Sequence, residues 1–172
     1  MTIYQDNAHN LRIKKFRWSN GLGPIEDAEL IVSVGDTTVT GNVTGATNAT
    51  PIVITSAAHG LSTGDTVLID KVVGNKAANG AHVVTVINSN SFSLDASVGN
   101  GAYQTGGEWF KAVAGLIEEP LVAISDEIYE AIAGQEINFV EGREYIFIVD
   151  ATNYGYHAVL RDTCSQREVE LA

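Results

Sequence analysis

Residues 55–70 read TSAAHGLSTGDTVLID and set a histidine, a serine and an aspartate within seven positions: His59, Ser62 and Asp65. These side-chain types could serve as base, nucleophile and orienting carboxylate. That chemistry needs a serine held against an oriented imidazole, with oxyanion donors beside it, and the groups are usually gathered from distant loops. Three residues inside one short turn can hardly face one another in that way. The same letters describe a tight polar connection between two strands. Gly60 and Gly64 accept positive φ without steric cost, Ser62 and Asp65 can hydrogen-bond turn amides, and Leu61 is apolar enough to plug a core. His59, Gly60, Leu61, Gly64 and Asp65 are therefore read as a structural turn, with His59 bonded to backbone.

Other chemistry-bearing residues give no stronger signal. His9, His59, His82 and His157 show no local pairing of the kind metal sites use. Glu118, Glu119, Asp126, Glu127 and Glu130 could bind calcium or act as an acid/base pair, but they lack the D-x-D-x-D-G order and read as a solvated acidic face. The sequons at Asn42 and Asn48 are Thr-rich turn sequence, Gly21-Leu22-Gly23-Pro24 is a turn, and no phosphate-cradling glycine loop follows a strand. Tyr154, Tyr156 and Trp18 could make a sugar platform, yet Tyr154-Gly155-Tyr156 reads more simply as a turn flanked by packing rings. The expectation is a non-enzymatic protein without catalytic residues, metal or cofactors.

Charge narrows the partners. The net charge is −11, but residues 1–20 are basic, with Arg12, Lys14, Lys15 and Arg17 against Asp6, while residues 116–172 carry twelve acids and three arginines. An acidic body repels phosphates, which argues against nucleic acid. No run approaches the roughly 20 apolar residues that span a bilayer, and the first ten residues lack the basic-then-apolar order of a signal peptide. The single cysteine, Cys164, excludes an intrachain disulfide and suits a reducing cytoplasm.

Stepping along the 172 residues, β-type runs alternate with Gly and Asn turns. Strands are expected at 11–18, 28–34, 35–41, 51–55, 66–70, 82–87, 91–94, 121–125, 128–132, 144–151 and 157–162, with a further one at 167–171. Asn88-Ser89-Asn90 would join two of them using the positive φ that asparagine tolerates. No window keeps an apolar 3.6-residue spacing with caps, although 126–133 could form a turn of helix. The reading is all-β. Residues 42–107 are rich in Gly, Asn, Ser, Thr and Ala and poor in charge, bracketed by flanks of another character. That points to insertion: one domain from 1–41 plus 110–172, with a smaller module, 42–109, looped out of it.

The stretch 46–109, from ATNATPIVITSAAHGLSTGDTVLID through NGAHVVTVINSNSFSL to TGGEW, strongly resembles a module recurrent in structural proteins of tailed bacteriophages. The module is called FCCH-like after the first catalytic-cysteine half-domain of ubiquitin-activating enzymes, because both form a small closed β-barrel. This segment has no cysteine, so the likeness carries shape and no thioester chemistry. The flanks, DAELIVSVGDTTVTG and EGREYIFIVDATNYGYHAVLRD, resemble the immunoglobulin-like β-sandwich of phage accessory proteins, in which an Ala-Gly-x-x-Tyr-led apolar strand follows a loop; here Glu141-Gly142-Arg143-Glu144-Tyr145 fills that place. A barrel this small is filled by its own side chains, and Ile52, Ile54, Val67, Ile69, Val84, Val86, Phe92 and Leu94 are the expected filling.

The resemblance implies a structural virion protein of a tailed phage, either a neck or head–tail connector or a capsid-attached accessory, made in the host cytoplasm and self-assembling in many copies. Its partners would be copies of itself and neighbouring virion proteins, with neither nucleic acid nor membrane. The candidate assembly contacts are basic Arg12, Lys14, Lys15 and Arg17 against acidic Glu118, Glu119, Glu127 and Glu130. The alternative is a tail-associated carbohydrate- or receptor-binding module, which requires exposed aromatics at one loop end.

Overall fold

The computed structural model describes residues 2–7, 10–14, 30–125, 128–132, 139–140, 142–151 and 156–163. The chain is all-β: β1 (Thr2–Asn7), β2 (Asn10–Lys14), β3 (Leu30–Asn42), β4 (Gly45–Ala46), β5 (Ile52–Thr55), β6 (Thr66–Asp70), β7 (Gly80–Asn88), β8 (Ser91–Leu94), β9 (Glu108–Ala112), β10 (Glu119–Ser125), β11 (Ile128–Ile132), β12 (Glu144–Ala151) and β13 (Tyr156–Thr163). Among the described residues the only helical stretch is a 3₁₀ turn at Lys76–Ala78. The helical alternative for 126–133 gives way to β11, where Ile128, Tyr129 and Ile132 take strand positions opposite β2. The described part of the run 28–34, from Leu30, and the run 35–41 belong to one strand, β3, whose pairing with β9 shifts register between Asp36 and Thr40. The run at 167–171 lies outside the described residues. The chain divides into two compact units, Gly35–Ala112 and the flanks Met1–Val34 with Val113–Ala172.

Within Gly35–Ala112 the sheet closes on itself. Its order is β3, β9, β6, β7, β8, β5, β4, and every neighbouring pair is antiparallel. β3 and β4 are one stretch of chain that changes partner. Val43 N–H donates to Gly107 O at 2.9 Å on one side, and Thr44 N–H donates to Thr55 O at 2.8 Å on the other. β7 changes partner likewise, pairing residues 80–83 with β6 and 84–88 with β8. Closure leaves little sheet edge for another strand to join.

Strand alternation then decides what fills the interior. Ile52, Ile54, Val67, Ile69, Val84, Phe92 and Leu94 are buried in one core, with Val86 packed against it. Each such aliphatic or aromatic side chain contributes about 1.5–3 kcal/mol on leaving water. Val43, Ala46, Leu61, Val72, Ala78 and Trp109 complete the cluster. Trp109 Nε1–H is satisfied by Ser56 Oγ at 2.8 Å, and its ring meets Phe92 edge-on with centroids 6.1 Å apart. β9 stood outside the expected strands because its run EWFKA mixes charge with aromatics and lacks clean alternation.

The β7–β8 turn corrects one expectation. Residues 88–90 are absent from the positions with positive φ. The asparagines act through their side chains: Asn90 N–H donates to Asn88 Oδ1 at 2.9 Å, and Asn90 Oδ1 accepts Ala58 N–H at 3.0 Å. A register shift between Val86 and Asn88 supplies the bend that positive φ would have given.

In the flanking unit the antiparallel order is β1, β2, β11, β10, β3, and β12 pairs with both β13 and β3. Tyr145 to Val149 are buried at five consecutive positions of β12, so both faces of that strand are covered. β12 is entered through a turn in which Arg143 N–H donates to Val140 O at 3.1 Å and Gly142 sits at φ 75°. Tyr145 Oη accepts Val140 N–H at 2.9 Å, and its ring packs edge-on against Phe139.

Candidate functional site

The connection from β5 to β6 carries His59, Ser62 and Asp65. Gly60 and Gly64 have φ of 65° and 93°, and a Cβ on either would meet nothing within 4 Å, so it is backbone conformation and not crowding that calls for glycine there. Leu61 turns into the barrel core. His59 is buried, and both ring nitrogens are engaged by backbone. Nδ1 accepts Leu61 N–H at 3.0 Å, and Nε2 lies 2.8 Å from Asn88 O, which assigns the neutral tautomer with its proton on Nε2. The ring edge also packs on Phe92, centroids 5.2 Å apart. His59 thus ties the turn to the β7–β8 hairpin, and neither nitrogen is left to activate Ser62.

Asp65 completes the turn. Its Oδ2 accepts Ser62 N–H at 3.0 Å, its own N–H donates to Ser62 O at 3.0 Å, and Oδ1 lies 2.9 Å from Lys111 Nζ. Burial raises the carboxyl pKa, but the Lys111 hydrogen bond, the Ser62 N–H and the Lys111 charge outweigh it and hold the group below its ordinary value. Asp65 therefore faces Lys111 and the turn amide. As an arrangement for chemistry, the three residues form a hydrogen-bonded corner and no relay.

At the opposite end of the barrel three loops are joined by asparagine side chains. Asn75 is fully buried: its Nδ2 donates to Thr47 O at 2.8 Å, and its Oδ1 accepts Asn100 N–H at 3.1 Å. Asn100 Oδ1 in turn accepts Ala77 N–H at 3.1 Å. Asn79 presents its amide to Val72 as a strand would, accepting from Val72 N–H at 2.9 Å and donating to Val72 O at 3.1 Å. Sequence reasoning missed this network. The dense Asn and Gly of 74–80 and 99–101 was the available signal, and it reads as turn composition until the loops are seen together.

The candidate assembly residues divide. The β2–β11 register sets Arg12 directly opposite Glu130, and Lys14 opposite Ile128. On its other edge β2 sets Arg12 against Tyr4 and Lys14 against Thr2. Arg12 and Glu130 are therefore neighbours within one chain's sheet. Glu118 is exposed at φ 52°, with its N–H donating to Ser33 Oγ at 2.8 Å, and Glu119 stands opposite Val32. Lys15, Arg17 and Glu127 lie outside the described residues, as do Trp18, Tyr154, His9 and Cys164. Among the described residues, no three His, Cys, Asp or Glu side chains gather as a metal site, and no helix is long and apolar enough to cross a membrane. No protein-family model matches the chain, and no curated protein is found similar to it.

Proposed function

We propose that the chain is a non-enzymatic structural protein of a tailed-phage virion, a neck or capsid-attached accessory component that works in many copies. The observation that carries this reading is the closed barrel of Gly35–Ala112, filled by its own side chains, whose most reactive-looking residues, His59 and Asp65, are engaged in holding a turn. It accords with the FCCH-like resemblance of residues 46–109. Interior volume occupied by Ile52, Ile54, Phe92 and Trp109 accommodates no ligand. The flanking unit supports the immunoglobulin-like part of the reading through Tyr145, whose hydroxyl turns back to the backbone five residues upstream, in the manner of a tyrosine corner.

On this reading the function is shape and self-adhesion, with the barrel's sheet closed on itself so that it offers crowded copies little edge to pair with. Native mass spectrometry of the full chain across concentration is the test. A discrete oligomer is expected. A stable monomer that binds a defined glycan on an array would replace this reading with the receptor-binding one.

A further inference from the structure

The backbone nitrogen that follows an asparagine can attack that asparagine's side-chain carbonyl carbon, because closing the five-membered ring is intramolecular. A Cβ on the following residue crowds the approach and stiffens the backbone, so Asn-Gly is the reactive pair. The sequence holds three: Asn20-Gly21, Asn79-Gly80 and Asn100-Gly101. The first lies outside the described residues. The other two lie in the loops that Asn75 joins, and the fold treats them differently.

Asn79 is held at both ends of its amide. Oδ1 accepts Val72 N–H at 2.9 Å, Nδ2 donates to Val72 O at 3.1 Å, and the residue is half-buried. Gly80 opens β7 and stands opposite Ile69 of β6. Turning the Asn79 amide carbon toward Gly80 N breaks both bonds and pulls on a strand kept in register. Asn100 is exposed, and only its Oδ1 is held, by Ala77 N–H at 3.1 Å. Among the described residues, neither Asn100 Nδ2 nor Gly101 N–H donates a hydrogen bond. The attacking nitrogen is therefore uncommitted, the leaving amide is open to water, and Ala77 N–H already meets the oxygen on which negative charge develops. Packing enforces the glycine, since a Cβ at Gly101 would lie 2.6 Å from Gly74 O. The close approach that fastens these loops also keeps the labile pair in place.

We propose that Asn100-Gly101 is a site of spontaneous covalent modification, converting to aspartate and isoaspartate while Asn79-Gly80 is spared. Gly101 N bonds to Asn100 Cγ, the Cγ–Nδ2 bond breaks, and the amide leaves as ammonia, carrying the proton that Gly101 N gives up. Water then opens the ring at one of its two carbonyls. Opening at Cγ leaves aspartate, and opening at the main-chain carbonyl leaves isoaspartate, with the chain running through Cγ. Either product adds a negative charge at neutral pH. Aspartate keeps an acceptor for Ala77 N–H. Isoaspartate lengthens the backbone by a methylene, which draws Gly101 from Gly74 O and takes the acceptor from Ala77. Gly99, whose N–H donates to Ala49 O at 2.9 Å, is the neighbouring fastening that this strains. The isoaspartyl form is thus a one-way release of the loops that Asn75 ties.

The test ages the full-length chain in mildly alkaline buffer, folded and in urea, and follows each Asn-Gly peptide by mass, with isoaspartate read by enzymatic methylation. In the folded protein Asn100 should convert about tenfold or more faster than Asn79. In urea, where no tertiary contact distinguishes the two, their rates should agree within about threefold. The isoaspartyl fraction, separated by its added charge, should exchange the Gly99 amide hydrogen about tenfold or more faster than unmodified protein. Asn100→Asp, its barrel checked by Trp109 fluorescence, should show no mass change in that peptide and ordinary protection at Gly99. Conversion in the folded protein that is equal at the two asparagines, faster at Asn79, or absent at Asn100 while it proceeds in urea overturns the site. Unchanged Gly99 protection in the isoaspartyl fraction overturns the release.

Discussion

Trp109 lies across Gly41. The two are directly opposite in the β3–β9 pair, and a Cβ at Gly41 would sit 2.7 Å from the indole nitrogen. The indole can close over the barrel interior and reach Ser56 because the facing strand has no side chain there. Gly41→Ala should therefore force the indole aside, loosen its bond to Ser56 Oγ, and cost about 1–3 kcal/mol. Denaturant unfolding followed by tryptophan emission measures this, and an unperturbed midpoint would show that the ring has room after all.

Gly60 and Gly64 offer a cleaner contrast. Space is open around both, so Gly64→Ala is expected to lose about 1–2 kcal/mol through positive φ alone. Ala96 holds the mirror case, an exposed alanine at φ 56°, and Ala96→Gly should be neutral or slightly stabilising. A loss of stability at Gly64→Ala and none at Ala96→Gly, both at unchanged m-value, is the expected outcome.

Replacing His59 separates a structural from a chemical role. His59→Ala strands the buried Leu61 N–H and removes a partner from Asn88 O, with an expected loss of about 2–4 kcal/mol. Ser62→Ala, which keeps the backbone groups that Asp65 uses, should fall within about 0.5 kcal/mol of wild type. Equal losses from the two variants would argue that the serine side chain matters to the turn.

Asp65 makes stability depend on pH in a stated direction. Its folded-state pKa lies below the unfolded value, so its contribution is present above that value and disappears as pH falls through the folded one. The gap in unfolding free energy between wild type and Asp65→Asn should be constant from pH 7 to about 5 and shrink below about 4. Lys111→Met should reduce the same gap, because it removes the charge facing Oδ1. A gap that widens in acid would reverse the assignment.

Lys14→Glu combined with Lys15→Glu should weaken assembly at low salt if the basic start of the chain meets an acidic neighbour. Arg12, already opposite Glu130 in its own sheet, should matter less to assembly than to the flanking unit's stability. Sedimentation and thermal melts of the Lys14/Lys15 double variant beside Arg12→Gln distinguish the two.

Local sequence determined the strand class, most strand positions and the barrel filling, since these follow from period-two alternation of β-branched residues and from glycine at left-handed turns. β6, β8, β11 and β12 run over the residues their patterns marked, and Ile52, Ile54, Val67 and Phe92 point inward as alternation requires. Tertiary structure alone decided that β3 changes partner at Val43–Thr44 to close the ring, that Asn75 is a buried tie between loops, and that Arg12 and Glu130 stand opposite each other. Each depends on which distant strand or loop lies alongside. Backbone groups at 43 and 107, or amides at 75 and 100, leave no mark of their pairing in composition or spacing, because a hydrogen bond between them is chosen by the fold and not by either residue's own preference.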